Sequence, residues 1–179
     1  MGIQVLGGER NKEWKRKSFC EGFYKESPRN VNIDEALSLI NHAYMKEIIP
    51  IGVFVNKQID ELKEIIKKTS LKYIQLHGKE DNNYIKILKD HFNLKVIKSL
   101  GIKNHDDLKK MDELQQTDYY LFDYKPKITE LPGGNAKTFD WSLLQKIKIN
   151  RPWFISGGIN INNIKEINNN LIPYGIDIS

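Results

Sequence analysis

Cysteine is nearly absent: Cys20 is the one thiol in 179 residues. That excludes an intramolecular disulfide framework and a cysteine-built zinc site. Cys20 also has no evident histidine partner in the sequence and reads as non-catalytic. Long apolar runs are missing as well. None approaches the roughly 18 residues that a membrane span needs, so no membrane partner is expected. The N-terminus lacks the charged, apolar, small-residue order of a signal peptide, and the expected location is cytoplasmic. A large excess of one charge is lacking too. Lys and Arg number 28 against 23 Asp and Glu, a net charge of +5. The lysines are interleaved with acids, as in Asp60-Glu61-Leu62-Lys63-Glu64. That is the pattern of a solvated helix face, and no nucleic-acid partner is expected. The one dense cluster, Lys12 to Lys17 around Trp14, reads as a frayed basic terminus. Asparagine runs such as Asn168 to Asn170 read as compositional bias.

What is present is an ordinary globular composition, with 40% hydrophobic and 28% charged residues, which argues against global disorder. A chain of this length reads as one domain, residues 1–179, able to bury about 70% of its unfolded surface. Short apolar runs rich in β-branched and aromatic residues recur at steady intervals. They are 51–55, 73–76, 95–98, 119–122, 153–155 and 175–178, and each reads as a buried strand. Helical periodicity fills the gaps. It places Ile33, Ala36, Leu37 and Ile40 on one face, then Ile59, Leu62, Ile65 and Ile66, then Tyr84, Ile85 and Leu88. Leu108, Met111 and Leu114 follow, then Trp141, Leu144 and Ile147, and last Ile161, Ile164 and Ile167. Asn32, Asp81 or Asn82, and Asp140 are residue types suited to N-caps.

Strand and helix thus alternate six times from residue 51, the mark of a parallel sheet with crossover helices in one α/β domain. Alternation does not decide between an open sheet and a closed barrel. Polar residues fall at the end of every strand: Asn56, His77, Ser99, Asp123, Ser156 with Gly157 and Gly158, and Asp177 with Ser179. In a barrel all such ends gather around one site, and in an open sheet only those at a switch point do. The pattern favours the barrel, although about 200 residues is the usual minimum for eight βα units.

Several of these residues suit chemistry. Gly157 and Gly158 allow close backbone approach to an anion, with the helix expected near Asn160 pointing its N–H groups there. A plain tight turn is the alternative. Asp123 ends an apolar strand, where an apolar surround would raise its pKa and suit a general acid. The alternative is an aspartate capping a loop. His77 is a strand-end histidine, either hydrogen-bonding within the core or lining a site. Arg29, fixed behind Pro28, could bind a carboxylate with two hydrogen bonds or lie on the surface. The Leu131–Lys137 loop suits a lid or a long surface loop.

The same residues stand in a known order. Gly22-Phe23 with Ser27-Pro28-Arg29 comes first, then Gly52-Val53-Phe54-Val55-Asn56, Gln75-Leu76-His77-Gly78 and Phe122-Asp123. Gly133-Gly134 with Lys137-Thr138-Phe139-Asp140-Trp141 and Ser156-Gly157-Gly158-Ile159-Asn160 complete the series. From about residue 22 to its last residue the sequence resembles the phosphoribosylanthranilate isomerase family of tryptophan biosynthesis. The resemblance implies a (β/α)8 TIM barrel with no cofactor and no metal. It implies an Amadori rearrangement of N-(5'-phosphoribosyl)anthranilate to 1-(2-carboxyphenylamino)-1-deoxyribulose 5-phosphate. On that resemblance Asp123 corresponds to the general acid that protonates the ribose ring oxygen. Arg29 corresponds to the arginine on the anthranilate carboxylate. Gly157, Gly158 and Ser179 correspond to phosphate-binding positions, and Gln75, His77 and Asp177 to other substrate-binding or wall positions. The expected partner is a small molecule carrying phosphate and carboxylate, bound by a monomer or homodimer.

Two features depart from the family. Its first strand ends in Lys-x-Cys-Gly, where the cysteine is the general base that removes the sugar C2 proton. Here Gly2 to Gly8 can be laid on that strand with Leu6 at the cysteine position, which makes residues 1–21 a divergent segment. The family's Ser-Gly-Val-Glu loop and last helix do not follow Ser179. Activity is therefore expected to be weak or absent, and a non-catalytic phosphosugar-binding remnant or truncated fragment is the alternative.

Overall fold

Among the described residues, eight strands close into a barrel in the order β1 to β8. The computed structural model describes residues 2–6, 16–23, 30–126 and 137–178. The strands are β1 (Gly2–Leu6), β2 (Arg16–Gly22), β3 (Ile49–Phe54), β4 (Tyr73–Leu76), β5 (Lys95–Ile102), β6 (Tyr119–Tyr124), β7 (Trp153–Ile155) and β8 (Gly175–Ile178). Between them run α1 (Ile33–Met45), α2 (Ile59–Thr69), α3 (Asn82–His91), α4 (His105–Leu108), α5 (Ser142–Gln145) and α6 (Ile164–Asn170). None of the described helices is long and apolar enough to cross a membrane.

From β2 to β8 every neighbouring pair is parallel. A parallel sheet buries both faces, and two apolar clusters reflect this. Val96, Leu100, Ile102, Phe122, Ile155 and Ile176 pack outward beneath the helices. Ile51, Ile97, Leu121 and Phe154 pack together in the barrel interior. Strand side chains alternate between faces. Gln75, His77, Ser99, Gly101, Asp123, Ser156 and Asp177 therefore fall on the inner wall, toward the C-terminal strand ends.

The first strand breaks the parallel rule. β1 is antiparallel to β2, with Gly2 opposite Cys20 and Leu6 opposite Arg16. It is antiparallel to β8 as well, with Ile3 opposite Ile178 and Leu6 opposite Gly175. A parallel pair needs a crossover of about a dozen residues or more, whereas antiparallel neighbours need only a hairpin. Residues 7–15 are too few for the former. The consequence corrects the expectation for Leu6. It lies beside the start of β8, at the opposite end of the barrel from the strand ends that carry His77 and Asp123.

Other boundaries move for local reasons. Arg16 and Lys17, read as part of a frayed terminus, open β2. β5 runs on to Ile102, so Ser99 is buried mid-strand and does not end it. α1 starts where expected. The Asn32 side chain accepts from Glu35 N at 2.9 Å, and the Glu35 side chain accepts from Asn32 N at 2.9 Å, a reciprocal cap worth about 1 kcal/mol. Asp81 is the cap of α3. Asp140 instead accepts from Ser142 N, and α5 is a single turn. The segment after Leu108 tightens into a 3₁₀ turn.

Candidate active site

The inner wall of the barrel mouth brings Asp123 of β6 next to His77, which follows β4. The Asp123 Oδ2 to His77 Nε2 distance is 3.4 Å, and both side chains are largely buried. These strands are not neighbours; β5 lies between them. The β5 residue opposite Asp123 is Gly101, where a Cβ would lie 3.1 Å from Lys125 Cα. The other Asp123 oxygen accepts from Tyr124 N at 2.8 Å. The carboxyl thus meets polar groups on both oxygens, which replaces the apolar surround expected from sequence.

His77 is held from both sides. Gln75 Nε2 donates to its Nδ1 at 3.1 Å. With Nδ1 accepting, the neutral ring carries its proton on Nε2, facing Asp123. Its backbone N–H donates to Phe54 O at 2.8 Å. Gln75 is buried.

Gly157 packs directly on Asp123. A Cβ at its position would lie 2.9 Å from Asp123 Oδ1 and 3.0 Å from Tyr124 N, and its φ is +88°. Glycine is required here both by conformation and by the close approach to the acid. Gly158 also has positive φ. The chain turns toward α6 where expected. Asn163 Oδ1 accepts from Asn160 N and Asn160 Oδ1 accepts from Asn162 N, a reciprocal cap, and Asn160 O accepts from Ile164 N at 3.0 Å. A turn thus opens at Asn160 ahead of the regular helix of 7 residues from Ile164, and Ile161 is exposed rather than on a buried face.

Asp177 is buried on the inner face of β8, one strand beyond Ser156. Arg29, Ser179 and the Gly133-Gly134 stretch lie outside the described residues. Asn30 is described, and its backbone bridges Gly22 at the end of β2. Lys137 is exposed, with its ammonium 5.7 Å from the Tyr124 ring centroid.

Known proteins are similar to this chain in sequence and fold. Residues 11–179 match the family model described as N-(5'-phosphoribosyl)anthranilate (PRA) isomerase. The chain belongs to the phosphoribosylanthranilate isomerase family. The N-(5'-phosphoribosyl)anthranilate isomerase of Bacillus cereus is 36% identical over 87% of this chain and 74% of its own. That of Rhizobium etli is 37% identical over 88% and 71%. The crystal structure of phosphoribosyl anthranilate isomerase from Thermotoga maritima superposes with a TM-score of 0.76 at 25% identity, covering 88% of this chain and 74% of that one. The match to the isomerase family starts at residue 11, so it takes in β2 to β8 and leaves β1 outside.

One buried pair at the isomerase-like mouth escaped the sequence reading. Lys98 and Glu80 are both nearly inaccessible, with Nζ 3.1 Å from Oε2. Burial holds the Lys98 pKa below the usual lysine value, and Glu80 opposes that drop. A lysine set between Ile97 and Leu100 in an apolar strand was the available signal. Beside it a cavity of about 680 Å³ opens over the ends of β4 to β6, lined among others by His77, Lys98, Ser99, Gly101 and Lys110.

Proposed function

We propose that this barrel binds N-(5'-phosphoribosyl)anthranilate and carries out the acid half of its isomerisation. The observation that carries the reading is the Asp123–His77 contact at the barrel mouth, in a chain of this family. Asp123 donates a proton to the ribose ring oxygen as the C1–O bond breaks. The anthranilate nitrogen lone pair then forms the C1=N bond. His77 lies against the acid and orients it. Gly157 and Gly158, with Ser179, take the phosphate. Arg29, one residue before the Asn30 bridge at the end of β2, takes the anthranilate carboxylate. Gln75 and Asp177 line the wall. No cofactor enters these steps.

The second half removes the C2 proton so that the enol can rearrange to the ketone. The family performs it with a cysteine on its first strand, and here β1 runs the other way with Leu6 at the far end. General acid–base groups contribute about 10²–10⁴-fold each, so turnover is expected to fall by about that factor while binding persists. This favours the second reading, a phosphosugar-binding protein with little isomerase activity. The protein is read as one cytoplasmic domain acting on a small molecule, as monomer or homodimer, without nucleic acid.

Titration with the reduced product analogue and steady-state turnover of phosphoribosylanthranilate test both halves. Saturable binding with turnover at least about 10²-fold below that of the Bacillus cereus relative is expected. No binding by the folded protein would overturn the site. Full family-level turnover would overturn the loss of the base.

A further inference from the structure

Three of the hydrogen bonds around His77 come from one place. The Lys98 ammonium donates to Leu76 O at 3.1 Å and to Gly78 O at 2.7 Å. These carbonyls flank His77 on either side. Its third bond goes to Glu80 Oε2 at 3.1 Å. Glu80 in turn accepts from Gly78 N at 2.9 Å through Oε2 and from Asn56 N at 2.7 Å through Oε1. Asn56 Oδ1 accepts from Lys79 N at 2.7 Å. Gly78 lies so close to Asn56 that a Cβ would sit 2.7 Å from its backbone nitrogen. The ends of β3 and β4 and the middle of β5 are thus tied together around His77, whose ring contacts Asp123.

Neighbouring geometry shows what such a pair need not do. Asp107 makes a similar strap one strand further on. It accepts from Lys103 N and Asn104 N and pairs with Lys125. That strap ties the ends of β5 and β6 but brackets no residue of the inner wall. Holding a loop and holding His77 are therefore separable.

We propose that Lys98 and Glu80 are positioning residues: their buried pair clamps the backbone on both sides of His77 and so keeps its Nε2–H directed at Asp123. Two charges buried together gain little net stability over an apolar pair, which suits a role in orientation. The proposal rests on the functional reading of Asp123 but makes a claim about ring geometry that can fail separately.

The test reads the His77 imidazole directly, by nitrogen-15 NMR on the full chain, with the signal assigned from its loss in His77→Asn. In the unaltered protein the Nε2–H tautomer is expected to dominate. In Glu80→Gln and in the double variant Lys98→Met/Glu80→Gln, its ratio to the Nδ1–H form is expected to fall at least threefold. Lys125→Met, which breaks the neighbouring strap, should leave the ratio unchanged. An unchanged ratio in a folded Glu80→Gln, or an equal change in Lys125→Met, would overturn the proposal. Should the Glu80 variants fail to fold, the unaltered chain still decides. Its Lys98 ammonium should give a slowly exchanging signal with cross-relaxation to His77, and a fast-exchanging ammonium without that contact contradicts the clamp. Neither measurement depends on turnover, so an inactive protein with a clamped His77 separates this proposal from the functional one.

Discussion

The arc from β2 to β8 and the strand β1 close the same barrel by different physics. In the arc each strand hands over to its parallel neighbour through a crossover, and both faces are covered. The inner face of the arc carries Ile51, Ile97, Leu121 and Phe154 below, and His77, Asp123 and Asp177 above. β1 enters on a connection too short to cross over, so it pairs antiparallel on both sides. It closes the sheet edges, which would otherwise offer unpaired backbone groups, but it reverses which of its ends reaches the mouth. Sealing a barrel needs only hydrogen bonds; furnishing its active site needs strand direction.

Changes in the arc should matter far more than changes in β1. The largest effect is expected from Asp123→Asn. Whatever turnover the protein has should fall by about 10²–10⁴-fold, while the reduced product analogue still binds; retained turnover would remove Asp123 as the acid. Next comes Leu121→Ala. This side chain is fully buried inside the barrel, and its loss should cost about 2–5 kcal/mol in denaturant unfolding.

A smaller effect belongs to Asp118, at the start of β6. It accepts from Val96 N, Lys89 and Lys95. Burial pushes its pKa up, but these donors outweigh burial and hold it below the usual 3.8. A carboxylate depressed in the folded state contributes stability that is fully present above about pH 4 and is lost as pH falls through the folded value. Asp118→Asn should therefore cost about 1.5–3 kcal/mol at neutral pH and flatten the acid limb of a stability–pH profile. An unchanged acid limb would show that these contacts do not persist in solution. The smallest effect is expected for Leu6→Cys. A thiol placed at the far end should leave turnover unchanged, and a large gain would place β1 in the other direction.

The arc was legible because its signals are local. Tyr73–Leu76, Trp153–Ile155 and Gly175–Ile178 are short β-branched or aromatic runs between polar breaks, and Asn32 with Glu35 announces α1. The direction of β1 was within reach, since the short 7–15 connection permits only a hairpin, yet a motif alignment by itself carries no strand direction. The turn into α6 was legible at Asn160, which accepts from Asn162 N through its side chain and from Ile164 N through its carbonyl. The exposure of Ile161 was not, since it keeps helical spacing with Ile164 and Ile167. The site was legible as a set of strand ends but not as contacts. His77 and Asp123 belong to strands separated by β5, and the closed barrel brings them together. Lys98 and Glu80 escaped because a charge in a strand finds its partner through the fold, not through spacing.

Strand direction is open to a direct measurement by cross-linking, in a Cys20→Ser background. Directly opposed residues of adjacent strands lie about 4.5–5.5 Å apart at Cα, within the range a disulfide can span. An antiparallel β1 sets Leu6 opposite Gly175. The pair Leu6→Cys with Gly175→Cys should therefore oxidise to a cross-link, and Leu6→Cys with Ile178→Cys should stay reduced. The reverse result, with position 6 linked to 178 and not to 175, would put Leu6 at the mouth and contradict the account.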